Sequence, residues 1–258
     1  MSPPEGRRRA RAAALAAVVA LVAVGCGKGE YRPAQGRTAR SAPAARTASP
    51  PAPPADAPAG AAAVAGFSHA VQLFAADLPG VVAQAPTGAT REQEREAAAC
   101  GVSGARALGG GRSPDFHRGG ALERESFSSA VEVLRTAAQV RSDLAYAASR
   151  PGLDCYSGVL RRTLAREQGG RARVTGVRLA ALHVGLPGGE RATGVRISTR
   201  ISLARSRVAV TLFLDSVSLP YGQAELDLYA DSFVQPPPAR TEQELLTLLR
   251  ERARRHPL

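Results

Sequence analysis

Three cysteines, four histidines and a scatter of serines and acids are the residues of this chain best equipped for chemistry. His69, His117, His183 and His256 stand far apart, and none has a His or Cys partner at metal-ligand spacing. A zinc site needs several such ligands brought onto one turn or helix face, as C-x-x-C and H-E-x-x-H do, and neither pattern occurs. Asp115 and His117 lie two positions apart with Ser128-Ser129 following, so a Ser/His/Asp set can be drawn. A serine hydrolase of the common type also needs a G-x-S-x-G elbow to expose its hydroxyl, and that is missing. The run Gly109-Gly110-Gly111-Arg112-Ser113 superficially suggests a phosphate cradle, but it lacks the Gly-Lys-Ser/Thr ending and reads as a flexible surface loop. Asp227 and Asp231 fall on the polar side of an alternating stretch and read as solvated charge, while His183 reads as a core or edge residue of an apolar strand. The expectation is therefore of no catalytic residue, no cofactor site and no metal site.

The elements that would carry these residues begin well inside the chain. Residues 1–25 have the three parts of a secretory signal: Arg7-Arg8-Arg9-Ala10-Arg11, an apolar run over 12–24, and small residues before the cut. The apolar run, about 13 residues, is shorter than the ~20 a membrane-spanning helix needs, so cleavage is expected rather than a permanent span. Ala23-Val24-Gly25-Cys26 resembles the lipobox of bacterial lipoproteins, in which the cysteine thiol is acylated and becomes the first residue of the mature chain. That resemblance implies lipidation at Cys26 and a location on the extracytoplasmic face of the cell membrane. From 27 to 66 the sequence collapses to 14 Ala and 7 Pro in 40 positions, too little apolar bulk to offset the entropy of ordering. Residues 26–66 are thus expected to be a disordered tether carrying the lipidated cysteine, with the folded domain occupying 67–258.

The net charge of +12 invites a nucleic-acid reading, yet Lys28 is the only lysine among 34 basic residues. Such arginine dominance follows from a GC-rich coding sequence, and a basic surface on an exported protein suits anionic envelope polymers or lipid headgroups better than DNA. No nucleic-acid partner is expected. The partners anticipated are the membrane, through the lipid anchor, and an apolar or anionic envelope ligand or a protein.

Within the domain, Thr136-Ala137-Ala138-Gln139 is a capping-box sequence, and Val140, Leu144, Ala147 and Ala148 follow at helical spacing until Pro151. This predicts a helix over 137–149, with a second over 154–167 and a third from Thr241, whose leucines share one face and whose arginines crowd the last turns. A short helix over 92–99 is also expected. Between the second and third helices Val195, Ile197, Thr199, Ile201 and Leu203 alternate with Arg196, Ser198, Arg200 and Ser202, the period of a half-exposed strand. Strands from 208 and through Leu226 and Leu228 follow after short turns at 204–207 and 220–222, making an antiparallel meander. Further strands are expected over 173–184 and 128–134. The fold class expected is α+β, one domain whose antiparallel sheet carries its helices on one face.

With Cys26 set aside for the anchor, Cys100 and Cys155 remain, and two cysteines in an oxidising compartment read as one disulfide, with separate buried thiols as the alternative. Asp77-Leu78-Pro79-Gly80, Cys100, Ser113-Pro114-Asp115-Phe116, Ser129-Ala130-Val131-Glu132-Val133, Cys155, the late meander and the closing helix together resemble actinobacterial envelope lipoproteins. Their soluble domain is similar to the extracellular sensor domain of mycobacterial receptor serine/threonine kinases. Covering residues 71–255, the resemblance implies an α+β domain with a sheet-lined cleft and a ligand-binding, non-enzymatic role. A partner-docking or structural lipoprotein is the alternative class, and an envelope hydrolase a third.

Overall fold

The computed structural model describes residues 60–86, 100, 107–120, 123–167, 172–203 and 209–258. The signal sequence, Cys26, the tether up to residue 59, the helix expected over 92–99 and the turn at 204–207 lie outside the described residues. Helix α1 (Ala61–Val71) buries Val64, Phe67, Ser68 and Val71, the i, i+3, i+4, i+7 spacing of one helix face. Strands β1 (Val82–Gln84), β2 (Ala107–Arg112), β3 (Asp115–Arg118) and β4 (Glu125–Leu134) follow, then helices α2 (Ala137–Ala148) and α3 (Arg150–Glu167). Four strands, β5 (Ala172–Gly185), β6 (Arg191–Leu203), β7 (Ala209–Tyr221) and β8 (Ala224–Phe233), form an antiparallel meander closed by helix α4 (Ala239–Arg255).

All eight strands join one sheet in the order β1-β3-β4-β8-β7-β6-β5, with β2 continuing alongside β4. The first and last long strands of the domain therefore meet at the centre, β4 against β8 over nine paired positions from Glu125↔Ser232 to Val133↔Ala224. The α2–α3 hairpin crosses from β4 to the far edge, and the meander returns. The α+β class and the antiparallel meander agree with the sequence reading.

The helices, however, lie on both faces. Val131, Val133, Phe127, Leu226, Leu228, Val217 and Leu219 point to one face and pack with Phe67 and Val71 of α1 and Leu245, Leu246 and Leu249 of α4. This is the apolar face. The alternate residues of the same strands, among them Ala130, Tyr229, Leu212, Leu214 and Ile197, pack with Val159 and Leu160 of α3 on the other face, which holds a cleft. Covered from both sides, β8 is buried along nearly its whole length. Asp227 and Asp231, expected in solvent, are 3% and 8% exposed: the α2–α3 hairpin covers Asp227, and Asp231 is closed in beside Ser126 and Arg124.

Three further expectations change for local reasons. The Gly109–Gly111 run is strand β2, paired with β4 at Gly109↔Val133 and Gly111↔Val131. Its glycines admit α1: a Cβ at Gly109 would sit 2.7 Å from the Val64 side chain, and one at Gly111 would sit 3.2 Å from Ser68. The domain also starts before residue 67, since α1 begins at Ala61 and Val64 is 2% exposed. Six alanine-rich residues assigned to the tether are thus the first turns of a packed helix. Pro151 does not separate the next two helices by a loop: Ser149 ends α2, and its Oγ accepts the Gly152 N–H at 3.2 Å as the N-cap of α3.

Candidate functional site

The cleft lies where the α2–α3 hairpin stands over β6, β7 and β8. Helix α2 is aimed by its own sequence: the Thr136 side chain accepts the Gln139 N–H at 3.2 Å, and Val140 and Leu144 are buried while Ala147 and Ala148 turn toward the opening. The floor is the second face of the meander, with Leu179, Val195 and Ile197 from β5 and β6 forming one apolar side. Thr193, Ser216, Ser218, Glu225 and Asp227 supply polar groups, and Tyr156 and Tyr229 supply aromatic surface. The cavity volume is about 80 Å³, where a single water needs about 10–15 Å³. An apolar cavity with a few convergent polar groups is the usual form of a small-molecule site.

The polar groups are held from behind. Ser218 Oγ donates to Asp227 across the β7–β8 ladder, where the two residues are direct cross-strand partners. Tyr229 lies under the guanidinium of Arg112, 5.7 Å from its ring centroid, and Arg112 also donates to Asp115 at 2.9 Å. Carboxylates and hydroxyls can accept hydrogen bonds from a ligand, whereas the carboxylates repel an anion. A disulfide joins Cys100 to Cys155, their Cα atoms 5.6 Å apart, and Cys155 immediately precedes Tyr156 on α3. The cross-link thus fixes the helix turn that presents an aromatic wall of the cleft.

A second polar group lies at the β3–β4–β8 junction. His117 Nδ1 is 2.8 Å from Ser126 Oγ and also receives Arg124 Nε at 3.3 Å. Burial, then Arg124, push the His117 imidazole below its ordinary value, with Asp115 opposing. Burial raises the Asp231 carboxyl to about 7, opposed by a hydrogen bond from Ser126 and by Arg124. The serine stands between histidine and acid, whereas a catalytic triad needs the histidine in the middle, oriented by the acid through its other ring nitrogen. The Ser/His/Asp set drawn from the sequence does not assemble either. Ser128 Oγ faces Arg112, and Ser129 Oγ, fully buried, accepts the Leu73 N–H at 2.7 Å.

On the apolar face, Asp215 of β7 accepts both guanidinium nitrogens of Arg196, one at 2.7 Å, and Glu242 of α4 is buried beside them. Burial, reinforced by the Asp215 carboxylate, raises the Glu242 carboxyl to about 8, against the pull of Arg196. His183 stands exposed on the edge strand β5, and His69 stacks edge-on to Phe74 at 5.9 Å. Among the described residues no group of three or more His, Cys, Asp or Glu could hold a metal ion. No described helix is long and apolar enough to cross a membrane. Sequence reasoning missed the cleft residues because Tyr156, Thr193, Ser216, Ser218 and Tyr229 come from four elements and share no short motif.

No protein-family model matches the chain, and no curated protein matches it. Among solved structures, the extracellular domain of PknH from Mycobacterium tuberculosis aligns with 76% of this chain and 98% of its own, at 10% identity and a TM-score of 0.37. That similarity is too low to carry a residue or a ligand from one protein to the other.

Proposed function

We propose that this chain is a lipid-anchored, extracytoplasmic binding domain of the sensor-like kind, taking a small apolar ligand in the cleft beneath the α2–α3 hairpin. The cleft carries the reading: Leu144, Leu179, Val195 and Ile197 make an apolar wall, and Ser216, Ser218 and Thr193 can orient a polar end. Anchoring rests on Cys26 following a short apolar run, and the Ala/Pro stretch after it supplies the reach from membrane to domain. The acidic lining favours the apolar over the anionic alternative for this cavity.

The test is purification of the full chain from membranes of a lipoprotein-processing host grown with labelled fatty acid, followed by native mass spectrometry. The label is expected on the wild type and not on Cys26→Ser. A small molecule is expected on the wild type and not on Ala148→Phe, which fills the cleft mouth. Equal labelling of Cys26→Ser would remove the anchor. The same bound mass on Ala148→Phe, or none on either protein, would remove the ligand site and leave partner docking as the class.

A further inference from the structure

The arginines of this domain fall into two sets. Most described ones are spoken for: Arg112 by Asp115, Arg118 by Glu125, Arg196 by Asp215, Arg240 by Glu244, Arg250 by Glu190 and Arg252 by Asp77. Among the exposed arginines without an ion pair, Arg173 and Arg178 of β5 and Arg200 of β6 stand on adjacent strands of the sheet. The strand register places all three on one face. Arg173 is level with Ser202, Arg178 is level with Ser198, and Arg200 lies between those two serines on β6, on the side of the sheet that also carries Arg196.

With about 6.7 Å between same-face residues on a strand and about 4.8 Å between strands, the three guanidinium stems start on a zigzag of about 8 Å steps. Thr211 of β7 is the cross-strand partner of Arg200, so hydroxyls flank the line at Ser198, Ser202 and Thr211. The nearest acid on this face is Asp215, already paired with Arg196. Helix α4 begins at that pair, where Glu242 meets it, so the sheet beyond is an uncovered shelf beside a wall one helix thick. Like charges gathered on a shelf repel one another, a multivalent anion relieves that repulsion, and its pairing with the arginines releases the counterions condensed along the polyanion.

We propose that this shelf is a docking surface for a linear polyanion, a phosphate-bearing polymer rather than a lipid surface. The wall decides between them: a thread of polymer can lie along the arginine line at the foot of α4, whereas a flat bilayer would meet the helix before reaching the sheet. The proposal is independent of the cleft and its ligand.

The experiment measures binding of the full chain to long-chain inorganic polyphosphate across a salt series. Arg173→Gln/Arg178→Gln/Arg200→Gln is expected to weaken binding at least tenfold and to flatten the slope of log K against log salt by about 2, at roughly 0.7 per lost phosphate contact. A control, Arg141→Gln/Arg161→Gln/Arg255→Gln, removes the same charge from exposed helical positions and is expected to change binding less than threefold. Arg200→Gln alone reads the same effect at about threefold should the triple variant unfold. Equal losses in the two triple variants, or no binding near 0.1 M salt, would overturn the proposal. So would vesicles of phosphatidylglycerol bound as tightly per phosphate through the same arginines, or an oligothymidylate of equal charge bound tenfold more tightly than polyphosphate.

Discussion

The two faces of the central strands are built from the same residues in alternation, yet they serve opposite ends. On one, Val131, Leu226, Leu228 and Val217 meet α1 and α4 in one continuous apolar cluster, with the Asp215, Arg196 and Glu242 group at the start of α4, and the result is a closed core. On the other, Asp227, Glu225, Ser218 and Ser216 from the neighbouring positions face the α2–α3 hairpin, and the packing leaves a cleft. The difference teaches that covering a sheet face is not the same as filling it. A hairpin resting on polar side chains stands off far enough to leave room, and it then needs another restraint, which here is the Cys100–Cys155 bond.

The comparison is broken most severely by removing that restraint. Cys100→Ser with Cys155→Ser opens a loop of 55 residues and is expected to cost about 4 kcal/mol in the chain-entropy model. Denaturant unfolding gives the size, and hydrogen exchange gives the place: α3 is expected to lose protection well before α4. Equal loosening of α4 would mean that the two faces are one cooperative unit. Thiol counting on oxidised, denatured protein is expected to find neither Cys100 nor Cys155 free.

A matched pair of truncations sharpens the contrast. Leu246→Ala, fully buried against the apolar face, is expected to cost about 3 kcal/mol, since a cavity opens where none existed. Leu144→Ala, which lines the cleft, is expected to cost less, about 2 kcal/mol, because part of its side chain already borders space. Chemical denaturation of both variants decides it, and equal losses would mean that the cleft is packed as tightly as the core.

Titration separates the faces by pH. A carboxyl whose folded pKa is raised binds more protons when folded, so it favours folding below its unfolded pKa and loses that contribution as pH climbs to the folded value. For Asp231, on the cleft side, the loss runs from about 4 to about 7; for Glu242, under α4, it continues to about 8. Stability is therefore expected to fall across this range by at most about 1.4 kcal/mol per pH unit for each group. Asp231→Asn should flatten the curve below pH 7 only, and Glu242→Gln should also flatten it between 7 and 8. A curve in Glu242→Gln that keeps the wild-type slope above pH 7 would show that its proton is not linked to folding.

What the sequence disclosed depended on whether a pattern had one physical cause. The Thr136 cap and the residues after it could only start a helix, and the alternation from Val195 to Leu203 could only be a strand with one wet side; both formed. The row Glu225, Asp227, Tyr229 had the same wet-side pattern but is buried, because what covers it is a hairpin some 60 to 90 positions earlier in the chain. The glycines at 109–111 carry no side chain from which a strand period could be read. Residues 61–66 have the composition of the stretch before them, and only Phe67 and Val71 further along show which helix face they share. Of the site, the cysteines alone were visible, since a cross-link needs two residues while a cleft needs a dozen from distant elements.

The central pairing also sets a clock. Val131 and its partner Leu226 are 95 positions apart, so at about 5–20 residues per second the ribosome finishes β4 roughly 5–20 s before β8 exists. During that interval one flank of a strand buried at nine of its ten positions is open, and only β2 and β3 are available along the other. The sheet is completed from its two margins inward, and its middle seam is the last to close.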